Sequence, residues 1–70
     1  MNICKKFGEN VKKYRLGKNY SQEHLAELTG LHRTYISSLE RGIRSISLKN
    51  IQKIADALDI ECYKLLIFDK

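Results

Sequence analysis

The chain has no proline, only four glycines and two cysteines among its 70 residues, and no long apolar run. Proline, strand-like alternation, internal repeats and low-complexity stretches are all missing, which leaves short helices around one core as the expected all-α architecture. Cys4 and Cys62 form no C-x-x-C pair, and His24 and His32 are the only histidines. That scarcity argues against a zinc cluster and against a disulfide framework. Both thiols are expected to be reduced and partly buried, with a Cys4–Cys62 bridge as the alternative. The longest apolar run, Leu65 to Phe68, is far too short for a membrane span, and Met1 to Lys6 lacks the apolar segment of a signal peptide. The expected location is therefore cytoplasmic. No nucleophile–base pair, paired-carboxylate cleft or metal cluster is visible, so neither an enzyme nor a cofactor is expected.

What is present suits one small domain spanning residues 1–70: 43% of the chain is hydrophobic and 30% charged, enough for one core and no second domain. Acid is scarce at the start. Residues 1–20 carry Lys5, Lys6, Lys12, Lys13, Arg15 and Lys18 against Glu9 alone, while the remaining residues balance, so the net charge of +5 sits at one end. A solvated basic helix and a surface that meets a polyanion both fit this run. It does not by itself separate nucleic acid from a membrane surface.

Apolar spacing then sets out the elements. Ile3, Phe7, Val11 and Tyr14 make one stripe on a first helix over about residues 3–17, with Asn19 in the left-handed position that closes it. Ser21 offers a hydroxyl cap to a second helix over about 22–29, although His24 stands where a capping box wants Glu or Gln. Gly30 and Leu31 form a turn, and a third helix runs from about His32 to Arg41 before Gly42 stops it. Ser47 caps a fourth helix, roughly 48–58, with Leu48, Ile51, Ile54, Ala55 and Leu58 along one face. A fifth, short helix is expected near 62–67.

Residues Gln22 to Gly42 are the informative stretch. Ala26 is small where two crossing helices touch, Gly30 allows a sharp turn, and Ile36 plugs the angle between the helices. With Leu25, Leu28, Leu31 and Leu39 at helical spacing, they describe a helix-turn-helix over about residues 21–42. On the third helix Arg33, Thr34, Ser37, Ser38 and Arg41 fall within an arc of about 140°, opposite Tyr35, Ile36 and Leu39. An ordinary solvated face usually mixes Lys with Glu, whereas this one holds arginine and hydroxyls with Glu40 only at its margin. Such a face suits a DNA groove, because arginine pairs with guanine and short hydroxyl side chains permit close approach to base edges.

Arg33, Thr34 and Ser37 are accordingly the candidates for base readout. Gln22, at an N-terminus that favours phosphate, joins Tyr35, Ser38, Arg41 and Arg44 as candidates for the DNA backbone. For Tyr35 a half-buried core position is the rival reading, and for Arg41 and Arg44 a solvated pair. Arg15 and Glu40 are expected to form a partly buried ion pair with a structural role. His24 and His32 read as surface residues.

The sequence resembles the lambda-repressor-like, Cro/C1-type helix-turn-helix family. The resemblance covers about Val11 to Leu66 and is carried by S-Q-E-H-L-A at Ser21–Ala26, by Gly30, by I-S-S-L-E-R-G at Ile36–Gly42 and by the A-x-x-L-x-I run at Ala55–Ile60. Leu31 to Arg44 looks most like controller proteins of restriction-modification systems. The resemblance implies that Arg33, Thr34 and Ser37 face bases and that Gln22, Tyr35 and Arg44 lie near the DNA backbone. His24 departs from a usual acidic residue and Asn19 from a usual glycine.

One recognition helix contacts few bases, so a homodimer on a near-palindromic double-stranded operator is expected. If Leu58, Ile60 and Leu65 face the core, then Tyr63, Leu66 and Ile67 remain outward as the dimer seam, on a dimerisation helix over about 61–68. No small-molecule ligand is expected, and occupancy would follow protein concentration. The rival readings are an antitoxin-type protein-interaction module with autoregulatory DNA binding, and a phage Cro-like repressor.

Overall fold

A computed structural model describes residues 1–68. Four α-helices, α1 (Ile3–Gly17), α2 (Gln22–Thr29), α3 (Arg33–Glu40) and α4 (Leu48–Leu58), are followed by a 3-10 helix at Cys62–Leu66. The expected fifth helix is thus a 3-10 turn. So short a segment gains little from helix propagation, and 3-10 geometry is common in such short pieces; side-chain anchoring helps hold it. Asn10 Nδ2 donates to the carbonyls of Leu65 and Ile67, each at 2.9 Å, and Leu65 is fully buried.

Each α-helix ends on a left-handed residue. Asn19 (φ 61°) closes α1, Gly30 (φ 74°) α2, Gly42 (φ 75°) α3 and Asp59 (φ 56°) α4. At three of these ends the residue after the left-handed one donates its amide back to the last turn: Tyr20 to Arg15, Ile43 to Ser38 and Ile60 to Ala55. Asn and Asp tolerate this conformation because their short polar side chains bond locally. At the other ends, Ser21 accepts the His24 amide and Ser47 the Asn50 amide, as their positions in the sequence suggest. Asn2 caps α1 in the same way through Lys5.

The core is Phe7, Val11, Leu25, Ala26, Ile36, Leu39, Ile51, Ile54, Ala55, Leu58 and Leu65, with Tyr14, Tyr20, Leu31, Tyr35, Ile46, Ala57 and Ile60 packed at its rim. Three residues assigned to apolar stripes lie outside it: Ile3, Leu28 and Leu48, the last 83% exposed. Ile3 and Leu48 are first residues of their helices, ahead of the turn that meets the core. They therefore forgo the roughly 1.5–3 kcal/mol that burial of such a side chain contributes.

Helix α1 crosses α3 at backbone contact. A Cβ on Gly8 would stand 2.2 Å from the Leu39 carbonyl oxygen and 2.7 Å from that of Glu40. Gly42 likewise brings the end of α3 against α1, where a Cβ would lie 2.5 Å from the Cα of Lys5. These approaches, with α2 packed on both α3 and α4, hold α3 by its inner side and leave its outer side open.

Candidate nucleic-acid interface

On the outer side of α3, Arg33 and Thr34 are exposed and Ser37 and Ser38 half-buried, with Arg41 exposed at its C-terminal cap and Arg44 exposed in the following loop. Glu40, the one acid near this face, is turned away from it. Its carboxylate accepts from Arg15 Nε at 2.7 Å and Nη2 at 3.0 Å, a bidentate pair buried on both sides. Arg15 Nη1 donates to the Tyr20 carbonyl at 2.8 Å. Buried charge is tolerable only when paired and fully hydrogen-bonded, and both conditions hold here. The consequence is electrostatic: Arg33, Arg41 and Arg44 remain exposed on the outer face, and none of them forms an ion pair among the described residues. Arg15 is meanwhile withdrawn from the basic run of residues 1–20, whose lysines stay exposed.

Gln22 Nε2 donates to Glu40 Oε1 at 3.1 Å, so the first residue of α2 is tied to the last of α3. Its amide group is thereby positioned beside the amide-rich start of α2. One carboxylate therefore joins three helices at the edge of the candidate interface.

A cleft of about 370 Å³ opens beside α3, lined by Gly30, Leu31, His32, Thr34, Tyr35, Ser38, Arg44 and Asn50. Tyr35 is half-buried, packed against the core while also lining this cleft. Its Oη accepts from Asn50 Nδ2 at 3.2 Å. The Arg44 guanidinium lies 5.4 Å from the ring centroid, in cation–π range. Core packing and access to a ligand are thus properties of one side chain, because an aromatic ring has an apolar body and a polar tip. The cleft mouth is open and lined by hydroxyls and a cation, which suits an acceptor-rich polyanion.

The sequence pattern of the helix-turn-helix family matches residues 11–65. The chain belongs to the helix-turn-helix family, of the Cro/C1 type. It is a DNA-binding regulator of transcription. Among helix-turn-helix proteins, it is 53% identical over 68 residues to control protein C.BamHI of Bacillus amyloliquefaciens, covering 96% of this chain and 84% of that one. It superposes on the restriction-modification controller protein C.AhdI from Aeromonas hydrophila with a TM-score of 0.87 and 50% identity, over 89% of this chain and 94% of the other. SinR, a master regulator for biofilm formation solved in complex with DNA, gives a TM-score of 0.84 and 35% identity, over 87% of this chain and 98% of the chain in that structure.

In this helix-turn-helix chain, Tyr63, Leu66 and Ile67 stand on the surface at 55%, 43% and 57% exposure. Leu58 and Leu65 are buried and Ile60 packs at the core rim. Leu66 continues into an apolar groove with Ile3, Cys4, Phe7, Ile46 and Ile51. Both cysteines are free thiols; Cys4 is half-buried, but Cys62 is exposed rather than partly buried. His24 and His32 are exposed, and His24 packs edge-on against Tyr20. Among the described residues, no three His, Cys, Asp or Glu side chains gather to hold a metal, and no helix is long and apolar enough to cross a membrane.

Three residues that support the fold around the site are absent from the sequence-based candidates: Gly8, Asn10 and Asn50. Gly8 follows Phe7 of the first-helix stripe, a weak hint of the close approach to α3 that its missing side chain permits. For Asn10 and Asn50 the partners lie 55 and 15 residues away, beyond what helical periodicity links.

Proposed function

We propose that this chain is a restriction-modification controller protein that binds a near-palindromic double-stranded operator as a homodimer. The observation that carries the reading is the outer side of α3, where arginine and hydroxyl side chains stand exposed while Glu40 is drawn inward by Arg15. The relationship to C.BamHI and C.AhdI over nearly the whole chain supports the controller assignment. In this reading residues 1–70 act as one cytoplasmic, non-enzymatic domain with no cofactor or small-molecule ligand. The helix-turn-helix spans about 21–42, and occupancy follows protein concentration.

Arg33, Thr34 and Ser37 enter the major groove. Arg33, at the N-terminal end of α3, pairs with guanine O6 and N7; Thr34 contributes a methyl contact and a hydrogen bond, and Ser37 a further hydrogen bond. Gln22, Tyr35, Ser38, Arg41 and Arg44 meet the sugar-phosphate backbone, which fixes register without reading sequence. Selection of bound sequences from a random duplex pool tests the whole proposal: a two-fold-related pair of half-sites about 34–36 Å apart is expected. Recovery of unrelated sequences would overturn it.

Arg33→Ala is expected to weaken binding to the selected duplex by about 1–3 kcal/mol and to relax preference at one base pair per half-site. Fluorescence anisotropy against selected and random duplexes checks this. Equal losses on both would assign Arg33 to the backbone. Tyr63→Lys combined with Leu66→Lys is expected to yield monomers in light scattering, since two desolvated cations cannot be paired in a symmetric seam. Persisting dimers would place the seam elsewhere.

A further inference from the structure

Asn50 lies in the first turn of α4, on the wall of the cleft beside α3. Its backbone amide is capped by Ser47 Oγ at 3.2 Å, and its side chain crosses to α3, where Nδ2 donates to Tyr35 Oη at 3.2 Å. Asn is a poor helix former and Ser47 already supplies the cap, so α4 itself gains nothing from an amide here. The geometry of the phenol is the informative part. A phenol oxygen that accepts one hydrogen bond keeps its own proton for a second partner, and no protein acceptor takes that proton among the described residues. The ring is held against the core rim with the Arg44 guanidinium over it. Tyr35 and Asn50 both line the cleft, together with Thr34, Ser38 and Arg44. A phosphate oxygen accepts only, which matches a hydroxyl whose acceptor side is already occupied.

We propose that Asn50 is a positioning residue for DNA binding. Without touching the duplex, it holds the Tyr35 phenol so that its proton is presented to a backbone phosphate. It also steadies the ring on which Arg44 rests. The inference rests on the reading of α3 as the DNA-contacting helix.

The probe is the duplex recovered from the random pool, titrated with the full chain at fixed salt. Asn50→Ala is expected to weaken binding about fivefold, within the worth of one hydrogen bond, with the melting midpoint moved by less than about 2 °C. Tyr35→Phe is expected to give a comparable loss. In the Tyr35→Phe background, Asn50→Ala is expected to change affinity less than about twofold, because the group it positions is gone. The same fivefold loss in both backgrounds, or a loss that tracks a large fall in melting temperature, would overturn the proposal. Arg33→Ala measured in parallel separates the failures. Undiminished binding of Arg33→Ala to both the selected and the random duplex removes the α3 reading itself, whereas weakened binding there with no Asn50–Tyr35 coupling removes the positioning role alone.

Discussion

Glu40→Ala is expected to destabilise the fold by about 3–5 kcal/mol, because it strands the Arg15 guanidinium in a buried site. The side chains of Arg15 and Glu40 are only 8% and 3% exposed, so water cannot replace the two hydrogen bonds the carboxylate accepts from the guanidinium. Gln22 loses its partner in the same step. A domain of this size holds roughly 4–10 kcal/mol in total, so the variant should populate the unfolded state measurably near physiological temperature. Urea titration followed by circular dichroism gives the number. Replacing both partners, Arg15→Met with Glu40→Leu, is expected to cost less than Glu40→Ala alone, because no uncompensated charge remains. A double variant weaker than the single one would show that the pair contributes net stability beyond neutralising itself.

Gly8→Ala is expected to cost about 3 kcal/mol or more, the upper end for overpacking, because the added methyl meets backbone rather than a movable side chain. The Leu39 and Glu40 carbonyl oxygens would lie 2.2 and 2.7 Å from the new Cβ. Relief requires α1 to slide away from α3, which also pulls Arg15 from Glu40. The measurement is a thermal melt beside Gly17→Ala. That site has nothing within 4 Å of a new Cβ, so the helix preference for alanine should be neutral to stabilising by roughly 0.5 kcal/mol. If Gly8→Ala melted with the parent chain, the helix crossing would be looser than described.

Local order was legible in the sequence because local chemistry sets it. The bounds of α1, α2 and α4 follow from apolar spacing, the serine caps and the closing residues Asn19 and Gly30. The Arg15–Glu40 pair was also readable, since one arginine and one glutamate fall at inward positions of helices that must converge. Periodicity failed at helix starts, where Ile3 and Leu48 keep the stripe's phase but extend past the core. It failed again at Cys62–Leu66, a 3-10 turn whose carbonyls are held by a distant asparagine. On the candidate interface, the composition of the outer face was visible from residue types alone. The support of Tyr35 by Asn50 was not, because a hydrogen bond between separate helices leaves no periodic trace in one sequence.

Asn10 fastens the C-terminal 3-10 turn to α1, and five residues further along the same helix Arg15 grips the end of α3. Helix α1 therefore links the segment bearing the outward Tyr63, Leu66 and Ile67 to the end of α3. On the proposed pairing, the gap between the two reading helices is a fixed calliper setting. Inserting one base pair at the operator's centre would then have to be absorbed by bending the DNA, since α1 ties the proposed seam to α3 by direct hydrogen bonds.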